Sequence, residues 1–228
     1  MPATADNQAR AWRLLCDIDR RIFFGCASMP ALPLPRFYQI TPEPSDPPDC
    51  SSFLRQLDAT LSCGIALVQL RVQRLDRPDH LRLARHALEL CRAHAARLVF
   101  NGPVDMALES GCDGLHLNSR TLLSLQQRPV PQTMLLSAAC HDARQLAQAR
   151  RIGVDFVTLS PVLPTRTHPE ASPLGWQQFA ALAGASALPV FALGAMDLTM
   201  MKKARACGAW GIAAISASWQ GIGQGPSA

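Results

Sequence analysis

The chain of 228 residues is 48% hydrophobic and only 17% charged, which is enough apolar material for one sizeable core. Its net charge of +5 comes mostly from arginines spread over helical stretches, such as Arg82, Arg85, Arg92 and Arg97. With no basic block and no aromatic–basic interleaving, that charge excludes nucleic acid as an expected partner and suits a small anionic ligand.

No apolar run approaches the ~20 residues needed to cross a bilayer, so no membrane association is expected. The eight cysteines include no C-x-x-C pair, and most sit in apolar segments, where a free thiol behaves as a small hydrophobe. Asp17, Asp19, Arg20 and Arg21 interrupt any charged-then-apolar leader design. A reducing cytoplasm is the expected location.

Residues 1–35 read as an N-terminal extension. Trp12, Leu15, Ile18 and Ile22 put one apolar face on a helix from Ala11 to Phe24, which Gly25 and the prolines at 30, 33 and 35 end. That helix either covers the bottom or side of a barrel or is the vestige of a longer fused domain. The regular pattern then runs over 36–218, with a Gly/Ser-rich flexible tail at 219–228.

Strands are predicted at 37–41, 66–71, 97–101, 113–117, 134–139, 155–160, 188–194 and 209–216. Between them lie helices at 51–62, 78–95, 104–110, 121–126, 142–151, 175–183 and 197–206, the last capped by Asp197. Alternating β and α units specify a parallel sheet, and eight of them permit closure into a single (β/α)8 TIM barrel with an extra N-terminal helix. An open doubly wound sheet is the alternative. No G-x-G-x-x-G follows the first strand to support it.

Polar residues gather where these strands end: Gln69, Arg71, Asn101, His116, Cys140, His141, Thr165, Arg166, Thr167, His168, Gly194 and Ser216. Each has a plainer reading alone. His116 fits a packed core histidine, Asn101 a helix cap, Gly194 a turn and His141 an N-cap-like residue. A barrel would bring all of them to its C-terminal rim, and barrels commonly bind phosphate after strands seven and eight.

The stretches FYQITPE, VQLR, DGLHL, CHD, SPVLPTRTHP, FALGAM and GIAAIS make the chain from Phe37 to Ser216 resemble the thiamine phosphate synthase/TenI superfamily. FYQITPE, CHDA and SPVLPTRTHP look most similar to the TenI-like domain often fused to MutT-type Nudix hydrolases, although no Nudix box is present. The resemblance implies a barrel joining a pyrimidine diphosphate to a thiazole phosphate with magnesium. It implies that Gln69 and Arg71 contact the diphosphate, that Thr165 and Thr167 line its loop, and that Gly194, Ala195 and Ser216 hold the thiazole phosphate.

Departures from the synthase pattern cluster. Gln73 and His168 stand where synthases carry lysines, Gly102 and Thr121 where they carry magnesium-binding aspartates, Ala139 where they carry a serine and Ala195 where they carry a glycine. Asp113 begins its strand, at the wrong end to replace a rim ligand. No metal site and no cofactor are therefore expected, magnesium entering only if synthase activity is retained.

What survives is the phosphate end and His141, which in the TenI-like branch resembles the acid/base of thiazole tautomerase. Moving a proton on a thiazole phosphate carboxylate needs one group titrating near neutrality and no metal. The expected catalytic residues are His141 and His116, with Asn101, Cys140 and His168 among the ligand-binding residues. Three functions stay open: a tautomerase, a synthase, and a domain that binds a phosphorylated metabolite without turnover. The weak C-terminal helix and the apolar N-terminal helix make a homodimer an expectation, because surface left uncovered on the barrel favours association.

Overall fold

The computed structural model describes residues 34–165, 172–217 and 219. The expected N-terminal helix, Arg166, Thr167, His168 and nearly all of the tail lie outside these residues. Eight parallel strands close into a barrel in sequence order: β1 (Phe37–Ile40), β2 (Leu67–Arg71), β3 (Arg97–Asn101), β4 (Gly114–Leu117), β5 (Leu135–Cys140), β6 (Phe156–Leu159), β7 (Val190–Ala192) and β8 (Gly211–Ala214). The open-sheet alternative is thereby excluded, since β8 pairs with β1.

The helices are α1 (Ser51–Ser62), α2 (Arg77–Ala93), α3 (Val104–Ser110), α4 (Ser119–Ser124), α5 (Ala143–Arg151), α6 (Gly175–Ala185) and α7 (Met201–Ala206). The stretch expected as one helix from Asp197 is split: a 3-10 turn at Leu198–Met200 precedes α7. Asp197 caps that turn by accepting the Thr199 N–H at 2.8 Å.

Alternation along each strand sorts side chains into two cores. Tyr38, Ile40, Leu67, Val99, Phe156, Phe191 and Ala213 fill the barrel interior. Intervening residues such as Val68, Leu70, Leu98, Phe100, Ala138 and Cys140 pack outward against the helices. At the centre of the interior, Phe156 meets Tyr38 edge-on at 5.3 Å and Phe191 at 5.5 Å. Such aromatic contacts add to the area that the rings bury.

Aspartates fasten the end opposite the rim. Asp113 accepts the Leu98 N–H at 2.7 Å, and Asp155 accepts the Leu136 N–H at 2.7 Å while pairing with Arg128 at 2.8 Å. Each carboxylate satisfies a backbone donor where a strand begins. Asp113 is thus structural, as its place ahead of β4 implied. No helix among the described residues is long and apolar enough to cross a membrane.

Candidate active site

Strand register brings the expected rim residues of neighbouring strands side by side. Arg71 lies opposite Asn101, Asn101 opposite His116, and His116 opposite Ser137. Two hydrogen-bonded groups form among the inward side chains of these strands. Asn101 Nδ2 donates to Gln69 Oε1 at 2.8 Å, and Gln69 Nε2 donates to the Tyr38 hydroxyl at 2.9 Å. Separately, Ser137 Oγ lies 2.8 Å from His116 Nδ1. Burial pushes the Tyr38 phenol well above its ordinary range, so it remains a neutral hydroxyl.

Two expected roles change here. His116 is 5% exposed, and burial pushes its pKa down to about 3, so it cannot shuttle protons near neutrality. A histidine whose folded-state pKa is depressed adds stability above the unfolded value of about 6.5. That contribution is lost as pH falls toward 3, at no more than about 1.4 kcal/mol per pH unit. The expected observation is that the His116 ring resonances stay at their neutral positions from pH 8 to pH 4. A midpoint near 6.5 in an NMR titration would contradict it.

Cys140 is the second correction. Ser137 and Ala139 take the inward positions of β5, so Cys140 faces the helix layer, fully buried among apolar side chains. Burial pushes its thiol up to about 12. It neither contacts a ligand in the barrel mouth nor offers a thiolate.

His141, by contrast, is exposed just beyond β5. Its Nδ1 lies 2.7 Å from the Ser160 carbonyl oxygen, which can only accept, so Nδ1 carries a proton. In the neutral ring Nε2 is then the unprotonated, basic nitrogen. The His141 backbone N–H is held by Gln145 Oε1 at 2.7 Å. The cap of α5 is Asp142, which accepts the Gln145 N–H at 2.8 Å, so His141 is not the N-cap-like residue that its position also suggested.

The residues expected to hold the phosphate stand just beyond β7 and β8. Gly194 has φ +112°, and a Cβ there would come within 2.8 Å of the Val162 nitrogen and 3.0 Å of Pro161 Cα. Only glycine lets these loops approach so closely. Ala195 also takes a positive φ, of 52°, and Ser216 is exposed in the bend after β8. Among the described residues no hydrogen bond or ion pair engages the guanidinium of half-buried Arg71. Thr165 stands half-buried in the loop after β6.

The profile of one family, described as thiamine monophosphate synthase, matches residues 37–218. The chain belongs to this family. It is similar to the thiamine-phosphate synthase of Methanospirillum hungatei, with 31% identity over 172 residues, 75% of this chain and 83% of that protein. It is 35% identical over 163 residues to the thiamine biosynthesis bifunctional protein ThiM/ThiE of Symbiobacterium thermophilum, 71% of this chain and 34% of that longer protein. Its fold is similar to that of a thiamine phosphate pyrophosphorylase from Pyrococcus furiosus, with a TM-score of 0.67 at 19% identity, covering 82% of this chain and 88% of that one.

Within this barrel of the thiamine monophosphate synthase family, the positions where the synthase pattern has magnesium-binding aspartates do not suit the ion. A Cβ at Gly102 would fall 2.5 Å from the Phe100 ring, and His80 stacks on that ring at 4.6 Å. A carboxylate at 102 thus meets an aromatic pair. Thr121 donates its backbone N–H to Asn118 and offers a hydroxyl instead of a carboxylate. Glu43 is occupied in holding the backbone N–H groups of Gln73, at 2.9 Å, and Arg74, at 2.8 Å. Among the described residues no three of His, Cys, Asp and Glu gather where they could share a metal ion.

Tyr38, Ser137 and Glu43 were not expected to serve the site. Tyr38 is the only tyrosine in the chain and occupies an inward strand position, and Ser137 is the one hydroxyl in the apolar run LLSAAC. Both signals were present in the sequence. Which partners they met depended on barrel closure.

Proposed function

We propose that this thiamine monophosphate synthase family member binds a thiazole phosphate without a metal ion and interconverts its tautomers through His141. The observation that carries this reading is the 2.7 Å bond from His141 Nδ1 to the Ser160 carbonyl, which leaves a basic Nε2 on an exposed ring at the rim. His141 Nε2 would take a proton from one carbon of the thiazole ring system and return it at another position of the delocalised anion. One C–H bond breaks and one forms, with no electrons gained or lost. Gly194, Ala195 and Ser216 would hold the phosphate, and Arg71 would neutralise anionic charge at the rim.

A second reading, the synthase, is favoured by the names of the relatives at 31–35% identity. It would have Gln69, Arg71, Thr165 and Thr167 bind a pyrimidine diphosphate, with magnesium assisting departure of pyrophosphate. Against it stand the occupied space at Gly102 and the two missing lysines, since losing one preorganised stabiliser costs on the order of 10²–10³ in rate.

Calorimetric titration with thiazole phosphate carboxylate, pyrimidine diphosphate and thiamine phosphate, with and without magnesium, separates these readings. Metal-independent binding of the thiazole phosphate supports the first, followed by NMR observation of tautomer exchange. Magnesium-dependent binding of the diphosphate restores the synthase. Gly194→Ala should weaken thiazole phosphate binding at least about tenfold, because the methyl group forces the β6 and β7 loops apart. Equal affinity in that variant would remove Gly194 from the phosphate site.

A further inference from the structure

We propose that Glu43 is a positioning residue whose carboxylate clamps the loop after β2 and so holds Arg71 at the barrel mouth as a fixed, unpaired cation. The clamp itself stands on hydrogen bonds; the anion that Arg71 meets rests on the thiazole phosphate reading.

Regular pairing of β1 with β2 reaches Ile40 opposite Gln69. Beyond that point the chain after β1 keeps its hold on the chain after β2 by other bonds. The Thr41 N–H donates to the Gln69 carbonyl at 2.9 Å, and the wholly buried Thr41 hydroxyl accepts the Arg71 N–H at 3.0 Å. Two residues on, the Glu43 carboxylate accepts the Gln73 N–H at 2.9 Å and the Arg74 N–H at 2.8 Å. Bonds from an ionised carboxylate to backbone N–H groups are stronger than neutral ones. Thr41 and Glu43 together therefore fix the backbone on both sides of Val72, directly after Arg71.

Arg71 follows Leu67 and Gln69 on the inward face of β2, so its half-buried side chain belongs to the mouth. Among the described residues Glu43 makes no ion pair with it, and the Glu43 oxygens are given to the amides of the next loop instead. The cation is thus left for a ligand, on a backbone already ordered. A group positioned before binding costs less to order when the ligand arrives.

This role and a simple charge effect predict opposite signs. If Glu43 acted only as negative charge near an anion site, removing it would tighten anion binding. As a clamp, its loss should weaken binding. Glu43→Ala in the full chain should lower affinity for thiazole phosphate carboxylate about tenfold by calorimetry. Hydrogen exchange at the Gln73 and Arg74 amides should rise several-fold, with β3 to β7 unchanged. Glu43→Gln, which keeps an acceptor oxygen, should recover most of both. In an Arg71→Ala background, Glu43→Ala should change affinity less than about twofold, because the positioned group is gone.

Tighter binding in Glu43→Ala overturns the proposal, and so does an equal loss with and without Arg71. Unchanged exchange at Gln73 and Arg74 removes the clamp. Should Glu43→Ala not fold, Glu43→Asp, whose shorter side chain cannot span the same bonds, takes its place in each comparison. If the unmodified chain binds no thiazole phosphate carboxylate, the ligand reading fails, while the exchange measurement still decides the clamp.

Discussion

His141→Ala should lower tautomer exchange of a thiazole phosphate carboxylate by about 10²–10⁴-fold, the usual contribution of a positioned general base. Binding should change only a few-fold, because the phosphate contacts assigned to Gly194, Ala195 and Ser216 lie on other strands. The side chain is exposed, and its Nδ1 bond ends on the Ser160 carbonyl, so removing it leaves no buried donor behind. The check is a single-turnover assay following solvent deuterium entering the thiazole. Deuterium entry as fast as in the unmodified chain would take His141 out of the mechanism. Loss of rate and affinity together would make it a binding residue instead.

Phe156→Ala should destabilise the fold by about 3–5 kcal/mol, the range for deleting a buried aromatic ring. Phe156 is fully buried and touches both Tyr38 and Phe191, so its removal opens a cavity where the interior rings converge. The barrel closes through all eight strands and can collapse only partly around that space. Phe156→Leu, which keeps most of the volume, should cost less than half as much. Urea unfolding followed by tryptophan fluorescence measures both. A loss under 1 kcal/mol in Phe156→Ala would mean that the three-ring contact is not the centre of the interior core.

Much of this architecture was legible before any coordinates. Runs such as RLVFN and DGLHL alternate or cluster apolar residues at strand length, and helical stretches such as 104–110 stand between turn signals, so element type followed from local periodicity. Asp197 was readable as a cap because a side-chain oxygen three or fewer residues ahead of a helical N–H is a local arrangement. The split between the 3-10 turn and α7 was not, since both forms use the same residue types over so short a span.

The site was readable only in part, for a related reason. Gln69, Arg71, Asn101 and His116 could be placed at strand ends by counting, and the barrel does place them there. Cys140 could not be assigned a face until the register of β5 against β6 was known, because a shift of one residue turns every side chain to the other side. His141 and Asp142 both sit ahead of α5, and sequence alone does not say which one caps it. The hydrogen bonds assign the cap to Asp142 and turn the His141 ring onto the Ser160 carbonyl instead.

By itself, the sequence determined the order of strands and helices, the parallel βα repeat, and the absence of carboxylates and lysines from positions where the family resemblance expects them. These depend on residue identity and on spacing along the chain. Only the tertiary structure decided that Tyr38 meets Gln69, that Phe100 fills the space beside Gly102, and that His116 is held neutral while His141 is exposed. Those outcomes depend on strand register and on burial once the barrel has closed, which bring together groups remote in the chain and set the dielectric around each one.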